Sequence, residues 1–163
     1  MNIKLKLLSL LILLNFPFVL YAQNVRMINS TEQSWSGGIA GRSGTNYSFV
    51  VGFSEYHQEP LPDTLWIGEE PFKIVITDST NGQNGNTKCI RSKKSVRFEI
   101  SAGTYHDEYA DRYPKPGNEK KPPLPHPPVK YKGVALLSYR YKGRQHYYTI
   151  NRIMKVFPPV NYP

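Results

Sequence analysis

The amino-acid sequence predicts an all-β protein that folds as a single antiparallel β-sandwich of immunoglobulin-like architecture. Three observations support this prediction: short segments alternate apolar and polar residues, turns rich in Gly and Asn separate them, and no stretch keeps a helical period of about 3.6 residues over many turns. About seven or eight such segments suit two packed sheets in one domain. A small β-barrel built from the same strands is the alternative fold.

The strand signal is clearest in the segment 45–54, TNYSFVVGFS. Its aromatic and β-branched side chains fall on alternate residues, so one face is apolar while the other carries Asn46 and Ser48. Similar alternation predicts strands over 33–40, 64–67, 71–77, 87–91 and 95–101, the last two paired as a hairpin. We interpret the two tryptophans, Trp35 and Trp66, as packing residues because each lies in a strand-like run.

The segment 133–153, GVALLSYRYKGRQHYYTINRI, predicts a second β-hairpin. Two strand-like runs flank Lys142-Gly143, a pair suited to a two-residue turn because Gly readily takes the left-handed second position. This turn places Leu137 opposite Tyr148 on the core side. The other predicted cross-strand pairs are Tyr141 with Arg144, Ala135 with Ile150, Ser138 with Tyr147, and Arg140 with Gln145.

The N-terminal residues predict a cleaved signal peptide over 1–22, which leaves 23–163 as the mature domain. Lys4 and Lys6 precede an apolar run, 7–20, that is shorter than the roughly 20 residues a transmembrane helix needs. No cysteine lies directly after the cleavage region, so we expect no lipid anchor. No second long apolar run occurs, so we expect no membrane span after cleavage. The mature protein is therefore expected to be secreted or periplasmic.

Cysteine content and charge limit how the domain is stabilised and what it binds. Cys89 is the single cysteine, so no intrachain disulfide can form, and its place in an alternating run favours a packed residue over one that links two chains. The formal net charge of +9 falls to +7 without Lys4 and Lys6, which favours anionic surfaces. The basic residues are spread and accompany no nucleic-acid-binding module, so a nucleic-acid partner is not expected.

The chain from 102 to 130 predicts a long connection between strands. Its first half has the features of a short helix over 105–113: Thr104 can cap the start, acidic residues follow in the first turn, and Pro114 ends it. Its second half, 114–128, is rich in proline and is expected to lie as a stiff strap along the domain surface. Connections of this length are usually functional or disordered.

The predicted helix contains a dense group of metal-ligand and acid/base residue types, namely His106, Asp107, Glu108 and Asp111. On a helix these four side chains do not converge, because successive residues rotate by about 100° around the axis. Their spacing also matches neither a calcium-binding loop nor the H-E-x-x-H zinc motif. A small metal-dependent hydrolase that uses these four residues is therefore the alternative hypothesis for function.

The predicted solvent face of the final hairpin is the candidate binding surface. Arg140, Gln145, Tyr147 and Asn151 would place basic, amide and aromatic groups together there, a combination that suits sugar rings or planar anionic groups. A solvated sheet face without a ligand has similar cross-strand pairs, and this is the simpler interpretation.

No catalytic or cofactor-binding motif accompanies these features. The chain lacks a G-x-S-x-G nucleophile elbow, and its glycine-rich segment 36–44, SGGIAGRSG, matches neither common phosphate-binding pattern. No cofactor is expected. The main hypothesis is therefore an exported, non-enzymatic β-sandwich that binds a protein or polysaccharide partner, through loops at one end or through the final hairpin.

Overall fold

The protein is almost entirely β-structure. The computed structural model describes residues 24–38, 41–54, 58–77, 85–108, 112 and 125–163. The predicted signal peptide lies outside them. The strands of the described residues are β1 (Asn24–Gly37), β2 (Arg42–Ser54), β3 (Leu61–Ile67), β4 (Glu70–Lys73), β5 (Thr87–Arg91), β6 (Ser95–Asp107), β7 (Ala135–Tyr141), β8 (Arg144–Ile150), β9 (Met154–Lys155) and β10 (Val160–Tyr162).

These strands form two sheets. The large sheet has six strands in the order β10-β1-β2-β6-β5, with β9 also beside β1, and the small sheet has the order β4-β3-β7-β8. β9 and β10 run parallel to β1, whereas the other neighbouring strands are antiparallel. Neither sheet closes on itself over the described part of the chain, so the fold is an open two-sheet arrangement and the barrel alternative is wrong.

The hydrophobic core lies between the inner faces of the two sheets. Phe49 and Val51 of β2 and Phe98 of β6 are fully buried there, and they share one cluster with Leu65 of β3 and Leu137 of β7. Successive side chains of a strand point to opposite faces, so alternation in the sequence becomes a buried inner face. Full burial of such a side chain stabilises the fold by roughly 1.5–3 kcal/mol.

Both predicted hairpins are confirmed. β7 and β8 pair with Leu137 opposite Tyr148, and all the other predicted partners in this hairpin are also opposite one another. Lys142 and Gly143 form its turn with φ angles of 49° and 72°, the left-handed conformation that the turn requires. β5 pairs with β6 as expected. Tight turns therefore specified the register where two strands are adjacent in the sequence.

Several strand boundaries differ from the prediction. β1 begins at Asn24, well before the predicted start at 33, and its Val25 and Met27 pack against the core. β2 begins at Arg42, before the predicted start at 45, because β1 and β6 provide pairing partners for a segment without an apolar pattern. The segment 71–77 is not one strand, since β4 ends at Lys73 and Ile76 makes only an isolated bridge. The short parallel strands β9 and β10 were not predicted.

The largest difference between the structure and the prediction is in the predicted connection 102–130. Its first residues, 102–107, belong to β6, where β2 supplies their pairing partners, so the helix predicted over 105–113 is wrong in its first three residues. Glu108 and Arg112 have helical conformation, and their side chains approach to 3.6 Å, the i, i+4 pair expected of a helix. The intervening residues and most of the proline-rich half lie outside the described ranges.

Cys89 packs at the edge of the core. Its side chain is half-buried against the main cluster, and its Sγ donates to Glu59 Oε1 at 3.8 Å. Glu59 also accepts from Arg91, whose Nη2 lies 2.8 Å from Oε1. Burial raises the pKa of the Cys89 thiol, so the reactive thiolate is disfavoured.

In the part of the chain that the structure describes, no helix is long and apolar enough to cross a membrane.

Two leucines on β3 test the packing of the core. Leu65 is fully buried, whereas Leu61 is 54% exposed. Leu65→Ala is expected to lower the free energy of unfolding by about 2–5 kcal/mol, because it leaves a cavity between the sheets. Leu61→Ala is expected to change it by less than about 0.5 kcal/mol. Urea unfolding followed by circular dichroism measures both, and equal losses would contradict this assignment of inner and outer faces.

Alkaline pH should destabilise the domain through Tyr139. This side chain is 4% exposed and packs against Phe53 at a centroid distance of 5.1 Å. Burial raises its pKa from 10.0 to about 12. The unfolded chain therefore loses this proton at lower pH than the folded chain, and stability is lost as pH rises from 10 towards 12.

The Tyr139→Phe variant isolates this contribution, which amounts to at most about 3 kcal/mol. Urea unfolding of both proteins at about pH 9 and about pH 11.5 gives the loss for each. The wild type is expected to lose more stability than the variant between the two conditions. If the wild type and the variant lose the same amount of stability, other tyrosines cause the alkaline effect.

Candidate functional site

The predicted binding residues of the final hairpin lie on the outer face of the small sheet. Arg140 and Gln145 are cross-strand partners at the turn end, and Tyr147, which is 38% exposed, lies opposite Ser138. Asn151 follows the end of β8, about 20 Å along the strand from Gln145. The structure thus groups Arg140, Gln145 and Tyr147 but separates Asn151 from them.

Polar groups of this hairpin face already bond to one another. Gln145 Nε2 donates to Asp63 Oδ2 at 2.9 Å, and Ser138 Oγ donates to the other oxygen of the same carboxylate. Prolines of the segment 125–128 line the same shallow cavity of about 530 Å³ as these groups. Trp66, also on this cavity, is only 7% exposed. This face therefore offers few free polar groups around its centre.

The predicted metal cluster is divided by the end of β6. His106 and Asp107 are successive strand residues, so their side chains leave opposite faces of the sheet. Asp107 Oδ2 accepts hydrogen bonds from Arg42 Nε and from the Tyr105 hydroxyl, each at 3.1 Å. These bonds make Asp107 part of a surface network centred on Tyr105.

The remaining members of the predicted cluster do not complete a site among the described residues. Glu108 pairs with Arg112, and Asp111 lies outside the described ranges. Over those ranges no three His, Cys, Asp or Glu side chains are grouped so that they could hold a metal ion. The hydrolase hypothesis therefore depends on Asp111 and on other residues outside the described ranges.

A row of aromatic side chains crosses the outer face of the large sheet. Trp35 of β1 is the cross-strand partner of Gly44 in β2, and Gly44 is the partner of Tyr105 in β6. Tyr162 of β10 lies beside Trp35 on its other side, opposite Gly37. The Trp35 ring centroid is 5.9 Å from that of Tyr105 and 6.1 Å from that of Tyr162. We call Trp35, Tyr105 and Tyr162 the aromatic row.

Gly44 allows Trp35 to lie against the sheet. A Cβ atom at position 44 would come within 2.7 Å of two carbons of the indole ring. The indole therefore occupies the space that a side chain on β2 would otherwise take. Glycine inside a strand commonly marks such a close approach.

The aromatic row is accessible, and Tyr105 at one end of it is held in place by neighbouring side chains. Tyr105 is 59% exposed and Tyr162 is 52% exposed, while Trp35 is half-buried. The Arg42 guanidinium carbon lies 5.9 Å from the centre of the Tyr105 ring. Loss of hydration, and then the hydrogen bond to Asp107, raise the pKa of Tyr105 above its ordinary value of 10.0.

Uncharged polar groups lie beside the aromatic row, on one side of it and on the same face of the sheet. Over the described residues, the two neighbouring cross-strand rows carry amides, hydroxyls and one glycine: Gln33, Asn46 and Gly103, then Thr31, Ser48 and Ser101. We call these the polar rows. They line a groove of about 630 Å³ together with Tyr47, Phe72, Asn86, Ala102 and Val156. The outer face thus joins an aromatic strip to a hydrogen-bonding groove.

This surface was not predicted from the sequence. Trp35 was interpreted as a packing residue and Tyr105 was assigned to a helix, so neither was expected beside the other. The available signal was Gly44, a glycine that continues the alternation of segment 45–54 on its polar side. No protein-family model, curated protein or solved structure matches the chain.

Substitutions at two glycines test how the aromatic row is supported. A Cβ at position 44 would also clash with the Thr104 carbonyl oxygen of β6. Gly44→Ala is therefore expected to displace Trp35 and disturb the pairing of β2 with β6, to destabilise the domain by about 1–3 kcal/mol and to shift tryptophan emission to longer wavelength. Gly103→Ala is the matched control, since its Cβ would meet the end of the Asn46 side chain at 3.3 Å and the Thr45 carbonyl oxygen at an ordinary contact distance of 3.6 Å. Fluorescence spectra and urea unfolding compare the two. An unchanged spectrum for Gly44→Ala would show that the indole does not rest on this glycine.

Proposed function

We propose that the protein is an exported, non-enzymatic binding module whose partner is a protein or a polysaccharide at the cell envelope or outside the cell. The observation that carries this proposal is the outer face of the large sheet, where accessible aromatic rings adjoin a polar groove. Aromatic side chains supply large contact area at low entropic cost, and strands hold them rigidly. We further propose that the two open sheets form a sandwich of immunoglobulin-like architecture.

We propose the outer face of the large sheet, rather than the final hairpin, as the binding surface. On the hairpin face, Gln145 and Ser138 both bond to Asp63, and the chain at 125–128 lies beside them. A partner there would have to replace existing hydrogen bonds. The large sheet instead presents Tyr105 and Tyr162 with more than half of their surface exposed.

Export rests on the N-terminal pattern of Lys4 and Lys6 followed by the apolar run 7–20. The net positive charge of the remaining chain would concentrate it near anionic envelope surfaces, because charge raises encounter rates. Specific binding would then depend on short-range contacts of the outer face.

Two measurements on the mature chain, 23–163, test this function. A pull-down from envelope extract is expected to retain a partner protein, or a glycan array is expected to show discrete positive spots, at micromolar protein concentration. A cationic protein of similar size and charge serves as the control for ion exchange, and binding must persist at about 0.5 M salt, where exposed charges are screened. If neither assay shows specific binding, the proposed function is wrong.

A further inference from the structure

The aromatic row has the shape of a platform for a linear polymer. Its three rings come from β10, β1 and β6, whose backbones span three strand spacings, or about 14 Å, and neighbouring ring centroids are 5.9 and 6.1 Å apart. Trp35 is central, tilted by 34° to Tyr105, with Tyr162 meeting it edge-on at 70°. A single sugar ring would cover one of these side chains, so the full row suits several linked units.

Aromatic faces are chemically matched to pyranose rings. The face of an aromatic ring carries partial negative charge, and the C–H groups on one side of a pyranose form a flat surface with partial positive charge. Contact between them also removes apolar area from water. Half-burial of Trp35 and exposure of both tyrosines leave such faces available on the outer surface.

The charge of the surface indicates a neutral polymer. Along the aromatic row, the charged groups of the described residues are Arg42 and Asp107, which pair at 3.1 Å and so neutralise one another. The polar rows carry only amides and hydroxyls, which both donate and accept hydrogen bonds as sugar hydroxyls do. A polyanion would find no free cation within these rows.

The polar rows also favour a polysaccharide over a protein partner. A stable protein interface usually buries about 800 Å² on each side around an apolar centre. Gln33 Nε2 already donates to the Pro158 carbonyl oxygen at 3.2 Å. An apolar partner would cover Asn46 and the neighbouring hydroxyls without bonding to them, and unpaired buried polar groups are unfavourable. Sugar hydroxyls would satisfy these groups in the groove of about 630 Å³.

We infer that the aromatic row and the polar rows together bind a neutral polysaccharide, with pyranose faces on Trp35, Tyr105 and Tyr162 and sugar hydroxyls over the groove. This inference rests on the proposed binding function and deepens it, since it specifies both the ligand class and the surface.

Calorimetric titration of the mature chain with defined oligosaccharides tests the inference. The neutral probes are cellohexaose, maltohexaose, chitohexaose and mannohexaose, and the anionic probes are heparin and polygalacturonate. At least one neutral probe is expected to bind. Tyr105→Ala and Tyr162→Ala are each expected to weaken its binding by about tenfold or more, because each removes one stacked ring.

Two variants separate ring stacking from other effects. Tyr105→Phe keeps the ring and loses only the hydroxyl bond to Asp107, so affinity is expected to remain within about threefold. Tyr147→Ala removes an exposed tyrosine from the small sheet and is expected to leave affinity within about twofold. Unchanged circular dichroism and thermal unfolding show that each variant is folded.

The possible failures are distinguishable. If a neutral probe binds but Tyr147→Ala alone abolishes binding, the surface is misplaced and the inference is overturned, while the binding function stands. If only anionic probes bind, or if no sugar binds while the pull-down retains a protein, the ligand class is wrong and the inference is again overturned alone. If sugars and proteins all fail to bind, both the inference and the proposed function are wrong.

Discussion

The pairing of β2 with β6 determines both faces of the large sheet. These two strands stay in register over all thirteen residues of each strand, from Arg42 opposite Asp107 to Ser54 opposite Ser95, without a bulge. Alternation along this ladder places Phe49 in the core and Gly44 on the outer face. A slip of one residue would exchange the faces, so burial of the core holds the outer surface in its arrangement.

The sequence could predict strands only where one face is apolar. Segment 45–54 and the two hairpins carried that signal, and their faces and partners follow it. Residues 102–107 did not, because Thr104 and Tyr105 continue a strand in which neither face is consistently apolar. The helix signals of this segment, a Thr104 cap followed by acidic residues, are local preferences. Pairing with the hydrogen-bonding edge of β2 is a tertiary interaction, and it outweighed them.

The sequence could predict a candidate surface only where the residues that form it are close together in the chain. The cross-strand pairs of the final hairpin were predicted correctly because a two-residue turn relates Arg140 to Gln145 directly. The aromatic row joins Trp35, Tyr105 and Tyr162, which come from three distant parts of the chain. Its assembly also needs the C-terminal strand to run parallel to β1, an arrangement for which no local pattern exists.

Overall charge and local charge would serve different steps of the proposed binding. The net charge of +7 that is left without Lys4 and Lys6 acts over about 8 Å at physiological salt and would therefore influence encounter with a surface. Contacts of the aromatic row act at ring-to-ring distances near 6 Å, where Arg42 is already paired with Asp107. In the polysaccharide binding proposed above, a basic protein would approach an anionic envelope and still select an uncharged polymer, because Arg42 and Asp107 leave the aromatic row without net charge.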